Sequence, residues 1–481
     1  MISNIGSSNI NQLQNLQATS APQESKSTAE ASTNPQVGSD SVSLGAERSQ
    51  LGDFVPGQVI IKTRGSLLAS ANGGGVVEKY GAKVLDDFQV PGRIQTKSAG
   101  QMLQLQLPEG MTTEQALEQM KNDPSIEYAV PNTIYHLEEP VSKGKTMTAE
   151  ELKQQAPNDP QYGQQWDLHN AGQNGGKVGA DISAEKAWQK TTGLPNGQGP
   201  LIAVIDTGVD IEHPDLQANI YTNHGEIPGN GIDDDGNGFV DDYHGWNAHL
   251  QNGDVMDRQG HGSHVAGTIG AVGNNGTGVT GINWSASILP IKVFSDNGGA
   301  SAAAIIRGIN YADSVGARLT SNSWGGGPAN PAVEEAFRNA SGALHMMSAG
   351  NSGTNNDIYG HYPSDYDLPN NIAVAATDRN DQLASFSCYG EKNVDIAAPG
   401  KDILSTVPGG GYAVYSGTSM ATPHVTGAAG LLLALDPTLT NDELKDKLLN
   451  GGDKLPSLEG KVASGARLNI DGAMNYDPKK V

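Results

Sequence analysis

At 481 residues the chain is too long for one ordinary domain, and two or three folding units are expected. With 53 Asp and Glu against 30 Lys and Arg, its net charge of -23 argues against nucleic acid or an anionic membrane as partner, and suits a protein that takes up divalent cations through clustered carboxylates. The single cysteine, Cys388, excludes an intramolecular disulfide framework and a cysteine-based zinc site, and no apolar run is long enough to span a bilayer.

Residues 1–52 are rich in Ser, Asn, Gln, Ala and Thr and hold no aromatic residue, a composition that cannot bury a core. They are predicted to be a disordered leader. The first basic residue is Lys26 and no apolar stretch precedes it, so an ordinary secretory signal is not expected.

Residues 53–138 change character. Gly57–Lys62 reads as a strand, Met102–Leu107 alternates with period two, and Ile126–Leu137 reads as a closing strand. Helices are predicted near Leu67–Tyr80, weakened by Gly73-Gly74-Gly75, and from Thr112-Thr113-Glu114-Gln115, a capping sequence followed by the apolar stripe Ala116, Leu117, Met120. This order suggests a small split βαβ, ferredoxin-like α+β domain. Residues 139–157 follow as a polar, Lys/Glu-rich linker, a good place for the chain to be cut.

From 158 to 481 apolar strands alternate with helices. Leu201–Ile205, Ser287–Val293, Leu319–Ser323, Leu344–Ser348 and Ile372–Ala376 read as buried parallel strands, and all five tryptophans lie here. The pattern predicts an α/β fold, a doubly wound, mostly parallel sheet with helices on both faces.

Three segments of this part place reactive side chains where parallel-sheet enzymes place them. Asp206 ends the strand Leu201–Ile205 and precedes the turn Thr207-Gly208. His261 lies in GHGSHVAGT, residues 260–268, a loop entering a small-residue helix. Ser419 ends the turn Ser416-Gly417-Thr418-Ser419 before a helix from Met420 to Leu435, where unpaired backbone N–H groups and the positive dipole end favour a developing oxyanion. Singly each is more often a cap; together they make a set of nucleophile, base and orienting acid. His264 and His424 are read as structural, since an HxxH pair without a third ligand is a weak metal signal.

The segments IDTGVDIEHPDL, GHGSHVAGT and GTSMATPHV resemble the three active-site motifs of the subtilisin-like serine peptidases, and the resemblance runs from about Asp159 to Asn475. It implies that Ser419 attacks, His261 moves the proton and Asp206 holds the imidazole, in the chain order Asp, His, Ser of that family. Ser348-Ala349-Gly350-Asn351 resembles the family's oxyanion motif, which assigns Asn351 as a donor, while Ser348, Ala349 and Gly350 form one wall of the S1 pocket. Ser323-Trp324-Gly325-Gly326 resembles the edge to which an extended peptide adds as a strand. Broad endopeptidase activity on protein and peptide substrates, with an apolar P1 residue, is expected of a monomer. The alternative is a binding protein on a decayed protease scaffold; an esterase is disfavoured because Gly417-Thr418-Ser419-Met420-Ala421 breaks the G-x-S-x-G pattern.

The same resemblance, to thermitase-like members, implies Ca2+ as cofactor. One composite site would use Asp159, Asp215, Val272, Asn275, Thr277 and Val279, the valines through carbonyl oxygens. A second is suggested by the residues themselves: Asp233, Asp235, Asn237, Asp241 and Asp242 start like an EF-hand loop but lack its closing Glu, and clustered carboxylates repel without a cation. Residues 53–138 resemble the family's inhibitory propeptides, which lay a C-terminal strand, here Pro131–Leu137, into the cleft. A self-inhibited zymogen follows, processed between about Leu137 and Asp159. Cys388 stands where the family has a polar surface residue. The calcium sites and propeptide suit an extracellular location, reached by a route without an ordinary signal.

Overall fold

The computed structural model describes residues 52–64, 75–90, 100–138, the backbone of 142–143, and 158–477. The predicted leader apart from Gly52, the glycine-rich start of the predicted helix Leu67–Tyr80, and most of the 139–157 linker lie outside them.

The small domain carries β1 (Phe54–Thr63), α1 (Val76–Lys79), β2 (Lys83–Asp86), β3 (Met102–Gln106), α2 (Thr113–Met120) and β4 (Ile126–Leu137). Its antiparallel order β4-β1-β3-β2 is that of a split βαβ sandwich. The capping box read from the sequence is present, with Thr112 Oγ1 accepting from Gln115 N–H and the Gln115 side chain accepting from Thr112 N–H. The apolar run Val59-Ile60-Ile61 serves two cores. Val59 and Ile61 pack with Leu103, Leu105, Ala116 and Met120, whereas Ile60 points through the sheet into the cluster of the larger domain. A strand buried on both faces needs no polar alternation, and here the second face is covered by the peptide chain that follows.

After β5 (Ser142–Lys143) the larger domain runs α3 (Ala184–Trp188), β6 (Leu201–Asp206), β7 (Trp246–Asn247), α4 (His261–Gly270), β8 (Ser287–Lys292), β9 (Gly299–Ser301), α5 (Ala302–Ser314), β10 (Leu319–Asn322), β11 (Trp324–Gly325), α6 (Pro331–Asn339) and β12 (Leu344–Ser348). It continues with α7 (Asn356–Tyr359), β13 (Asn371–Thr377), β14 (Ile396–Pro399), β15 (Ile403–Val407), β16 (Gly411–Ser416), α8 (Thr418–Leu435), α9 (Asn441–Asn450), β17 (Asp453–Lys454), β18 (Ala466–Arg467) and α10 (Ile470–Asn475). The central sheet has the order β17-β18-β14-β13-β12-β10-β6-β8-β7, parallel except for β17 against β18. The chain goes from β6 to β8 on one side and then crosses to β10 on the other. β6 is therefore the point where strand order reverses, and its carboxyl end is where such folds place their chemistry.

Asp206 is the last residue of β6. α8 runs through the molecule beside it, packed on α4, β10, β12, β13 and β14, with every residue from Thr418 to Leu433 buried. That enclosure explains its small residues: a Cβ at Gly427 would lie 2.9 Å from Ile282 Cβ. Each large aliphatic side chain so enclosed contributes about 1.5–3 kcal/mol.

Candidate active site

The helix holding Ser419 begins at Thr418, two residues earlier than the sequence suggests, so the serine sits in its first turn. Pro423 lies four residues further on and has no N–H to give the Ser419 carbonyl. Ser323 Oγ donates to that carbonyl instead, at 2.9 Å. The end of β10 is thereby tied to the first turn of α8.

His261 begins α4 and faces Asp206, its Nδ1 2.8 Å from Asp206 Oδ1, with both side chains fully buried. Asp206 Oδ1 also accepts from Thr207 N–H at 2.7 Å, and the buried Lys292 ammonium fixes the following turn by donating to the Thr207 carbonyl at 2.6 Å. With Nδ1 engaged by a carboxylate, the imidazole holds its proton on that nitrogen and presents Nε2 as a base.

Asn351 lies beyond β12. Its Oδ1 accepts from Thr418 N–H at 2.9 Å and from Thr418 Oγ1 at 3.0 Å, which orients the carboxamide and leaves its NH2 as the donor end. Gly350 N–H in turn donates to Thr418 Oγ1 at 3.2 Å. Ser348, Ala349 and Gly350 are buried beside this link.

The candidate substrate edge is double. β4 leaves the small domain and runs between two strands of the larger one, pairing antiparallel with β11 (Leu137 with Trp324, His136 with Gly325) and with β9 (His136 with Gly299, Ile134 with Ser301). Ser323-Trp324-Gly325-Gly326 supplies the edge the sequence marked. The second edge, Gly299–Ser301, it did not mark; Ser295-Asp296-Asn297-Gly298-Gly299 reads as a turn, and no apolar alternation follows it. At the end of β4, Ser419 Oγ donates to the carbonyl of Glu138 at 2.8 Å. The chain reappears as β5, pairing with β16 just before the serine (Ser142 with Ser416, Lys143 with Tyr415). Strand Pro131–Leu137 thus occupies the cleft as the sequence reading placed it, and the chain continues past Ser419 on the far side.

The docking of the two domains is polar at its rim. Tyr128 OH donates to Glu335 at 2.7 Å, Lys62 pairs with the same carboxylate, and Arg307 pairs with Asp86 at 3.0 Å. Asn132 Oδ1 accepts from Ala303 N–H at 3.1 Å, adding a cap from the small domain to the first turn of α5.

Of the first predicted cation site, Asp159 and Asp215 are fully buried and joined by the 274–279 loop. Asp159 accepts from Asn274 and Asn275 N–H, and Asp215 accepts from Val279 N–H, Asn275 Nδ2 and Tyr412 OH. Val272 N–H donates to the Asp215 carbonyl, and Thr277 N–H to Asn275 Oδ1. Burial raises both carboxyls, Asp215 to about 6 with Asp159 adding to the effect, so their charge lacks compensation from protein cations.

The second predicted site is rearranged. Asp235 and Asp242 converge with Glu226, one oxygen from each lying within 4.8 Å of the others. Asp233 instead accepts from Asn237 and Gly238 N–H, and Asp241 from Asn230 and Gly231 N–H, closing the loop itself. Asn237 donates to Asp235 and Asp242. Glu226, seven residues ahead of Asp233, was invisible to the loop motif.

His264 donates from Nε2 to the carbonyls of Ile403 and Ala413 and stacks on Tyr415, and His424 bridges the Met420 carbonyl and Asp167, so both are structural as read. Cys388 is buried behind Gly350, not at the surface.

A parallel-sheet scaffold with a carboxylate–imidazole pair, a helix-terminal serine and a peptide laid across it defines a serine endopeptidase with an amino-terminal prodomain. The sequence pattern of the Subtilase family matches residues 197–465, and that of the fervidolysin N-terminal prodomain matches residues 40–132. Thermitase of Thermoactinomyces vulgaris is 39% identical over 297 residues, 61% of this chain and 94% of thermitase. The Thermophilic serine proteinase of Bacillus sp. (strain AK1) is 32% identical over 429 residues, 88% of this chain and 89% of its own. The Cell wall-associated protease of Bacillus subtilis (strain 168) is 38% identical over 298 residues, but the match spans only 30% of its length. Among solved structures, fervidolysin from Fervidobacterium pennivorans, a keratinolytic enzyme related to subtilisin, shares the fold with a TM-score of 0.64 at 24% identity, over 89% of this chain and 62% of its own. The chain belongs to the subtilase family.

Proposed function

We propose that Ser419 is the nucleophile, His261 the general base and acid, Asp206 the group that orients and stabilises the imidazole, and Asn351 with the Ser419 backbone N–H the oxyanion hole. Ser419 Oγ adds to the carbonyl carbon of the P1 residue while its proton passes to His261 Nε2 and the carbonyl π pair moves onto oxygen. Collapse of that intermediate breaks the C–N bond, and Nε2 returns the proton to the leaving amine. A water deprotonated at the same nitrogen then attacks the acyl-enzyme, releasing a carboxylate and restoring the serine.

One observation carries this reading: Ser419 Oγ donates at 2.8 Å to the carbonyl of Glu138, the residue that follows a strand paired on both sides like a substrate. The first bond cut is therefore Glu138–Glu139, in the linker 139–157 that joins the prodomain, residues 53–138, to the peptidase domain, residues 158–481. After cleavage the prodomain stays in the cleft as product and inhibitor, because its sheet remains docked on α5 and α6 and keeps the strand at high effective concentration.

Ca2+ would be held by Asp159, Asp215, Asn275 and the carbonyl oxygens of Val272, Thr277 and Val279, and in a second place by Glu226, Asp235 and Asp242. Bound there, it neutralises buried carboxylates and ties the start of the peptidase domain to the 274–279 loop. Among the described residues no helix is long and apolar enough to cross a membrane. We place the processed enzyme outside the cell, where Ca2+ is abundant, as a monomer.

The test is peptide hydrolysis and labelling by an organofluorophosphonate in the processed chain. Labelling on Ser419, and a loss of about 10⁶-fold in turnover on Ser419→Ala, the size found for the nucleophile of subtilisin, are expected. Undiminished hydrolysis by Ser419→Ala overturns the assignment.

A further inference from the structure

The residue whose carbonyl meets Ser419 is a glutamate, and its side chain lies half-buried between the segments proposed to wall the S1 pocket. Glu138 Oε1 lies 2.7 Å from His361 Nε2, with the two side chains 12% and 10% exposed. His361 itself is clamped by the pocket walls. A Cβ on Gly325 would come 2.4 Å from the imidazole Cε1, and a Cβ on Gly350 2.8 Å from its Cδ2, so the ring stands between the two backbones that line the P1 side chain. Gly350 also has φ +105°, a conformation L side chains rarely adopt, so this wall is kept bare twice over.

The outer nitrogen of His361 is anchored as well. Nδ1 lies 2.9 Å from Ser364 Oγ, which is 3.1 Å from Asp365 Oδ1, and His361 N–H donates to Asp365 Oδ2 at 2.7 Å. Ser364 Oγ also lies 2.9 Å from the His361 carbonyl oxygen, so its hydroxyl can donate to Nδ1, to Asp365 or to that carbonyl. When it donates to Nδ1, the neutral ring keeps its proton on Nε2 and directs it at the P1 side chain. When it donates to either oxygen, Nδ1–H donates to Ser364 Oγ, and a P1 carboxylate 2.7 Å from Nε2 is met as an acceptor only with a proton on that nitrogen too.

We propose that His361 makes the S1 pocket selective for glutamate, so that the processed enzyme cleaves proteins on the carboxyl side of Glu in preference to apolar residues. This rests on the assignment of Ser419 as nucleophile and deepens it. The expectation of an apolar P1 residue does not describe the group seated in the pocket. An apolar side chain placed there leaves the His361 donor buried without an acceptor, which a glutamate carboxylate supplies, and that difference is worth roughly 10–100-fold in kcat/KM.

The experiment compares kcat/KM of the processed enzyme on fluorogenic peptides that differ only at P1 (Glu, Gln, Asp, Leu, Phe), with enzyme concentration set by fluorophosphonate titration of Ser419. Glu is expected to exceed Leu and Phe by at least roughly 10-fold, with Gln between. In His361→Gly, which removes the donor and deepens the pocket, the order is expected to reverse toward Leu and Phe. The proposal is overturned if the unaltered enzyme prefers Leu or Phe to Glu, or if His361→Gly keeps the Glu-to-Leu ratio. An enzyme that titrates with fluorophosphonate yet prefers Leu overturns the pocket assignment alone. One that neither titrates nor cleaves any of the five overturns the nucleophile and the proposal together.

Discussion

Ser419 Oγ donates a 2.8 Å hydrogen bond to the carbonyl oxygen of Glu138, 281 residues earlier in the chain. The proposed nucleophile is thus engaged by the chain's own amino-terminal part, and the peptide on either side is held in sheet: β4 between β9 and β11 before the bond, β5 on β16 after it. A strand paired in this way is held as an extended substrate would be. On the proposed reading it becomes an inhibitor after the cut, since the small domain's sheet is packed on α5 and α6.

Asn351 is fixed by two bonds to Thr418, and its amide NH2 is the end that can meet an oxyanion. Asn351→Ala is expected to lower kcat by about 10²–10³, the cost known for such a donor in subtilisin, with KM nearly unchanged. Steady-state kinetics on one peptide checks this. A rise in KM alone would show that the residue binds the ground state.

Ser323→Ala should cost more than a typical buried serine. The Ser419 carbonyl has no helical donor because residue 423 is proline, and Ser323 Oγ is the group that replaces it. Leaving that carbonyl unpaired is expected to destabilise the chain by about 1–3 kcal/mol, measurable by denaturant unfolding in a Ser419→Ala background. Ser323→Thr, which restores the hydroxyl, is expected to recover part of the loss.

Removal of Ca2+ is expected to lower Tm, because Asp159 and Asp215 would then face each other in a buried, cation-free site. A site filled at 100 times its Kd contributes about 2.7 kcal/mol. Calorimetry in Ca2+ and in chelator checks this for the Ser419→Ala chain, and Asp215→Asn is expected to shrink the difference between the two. An equal Tm in both media contradicts the first site.

Two buried histidines, His264 and His345, are expected to lower stability in acid. Burial lowers His264 to about 3, with His261 nearby adding to the effect, and burial lowers His345 to about 4. Both pair as neutral rings, His345 between the Ala340 carbonyl and Thr320 Oγ1. Their folded values lie below the unfolded value of about 6.5, so the unfolded chain binds more protons in between. The stability they supply is full above about pH 6.5 and is lost as pH falls toward 4 and 3, by up to about 1.4 kcal/mol per pH unit for each ring. Asp215, raised to about 6, works the other way, so the measurement belongs in excess Ca2+. Unfolding free energies that stay flat from pH 7 to 4.5 contradict this account.

Much of the candidate site was legible in the sequence because its residues sit in short, contiguous motifs. Asp206 ends a strand, His261 and Ser419 lie in the first turn of helices, and Asn351 follows a strand by three residues, positions that local pattern reveals. The capping box at Thr112 and the strand Ile126–Leu137 were legible for the same reason. What escaped was made by tertiary contact. Glu226 joins Asp235 and Asp242 only because the loop folds back, and Gly299–Ser301 becomes an edge only when β4 lies against it. His361 was unremarkable in GHYPSD until Gly325, Gly350 and Glu138 surrounded it. The double burial of Val59-Ile60-Ile61 is likewise a property of two domains, not of one strand.

We propose that Ser419 cuts this chain after Glu138. Intact mass and N-terminal sequencing of the freshly folded protein test it most directly, with the Ser419→Ala chain folded alongside. A peptidase fragment that begins at Glu139 is expected from the unaltered chain, and no cut at that bond in Ser419→Ala. A first cut elsewhere in the unaltered chain, or the same cut in Ser419→Ala, would contradict it.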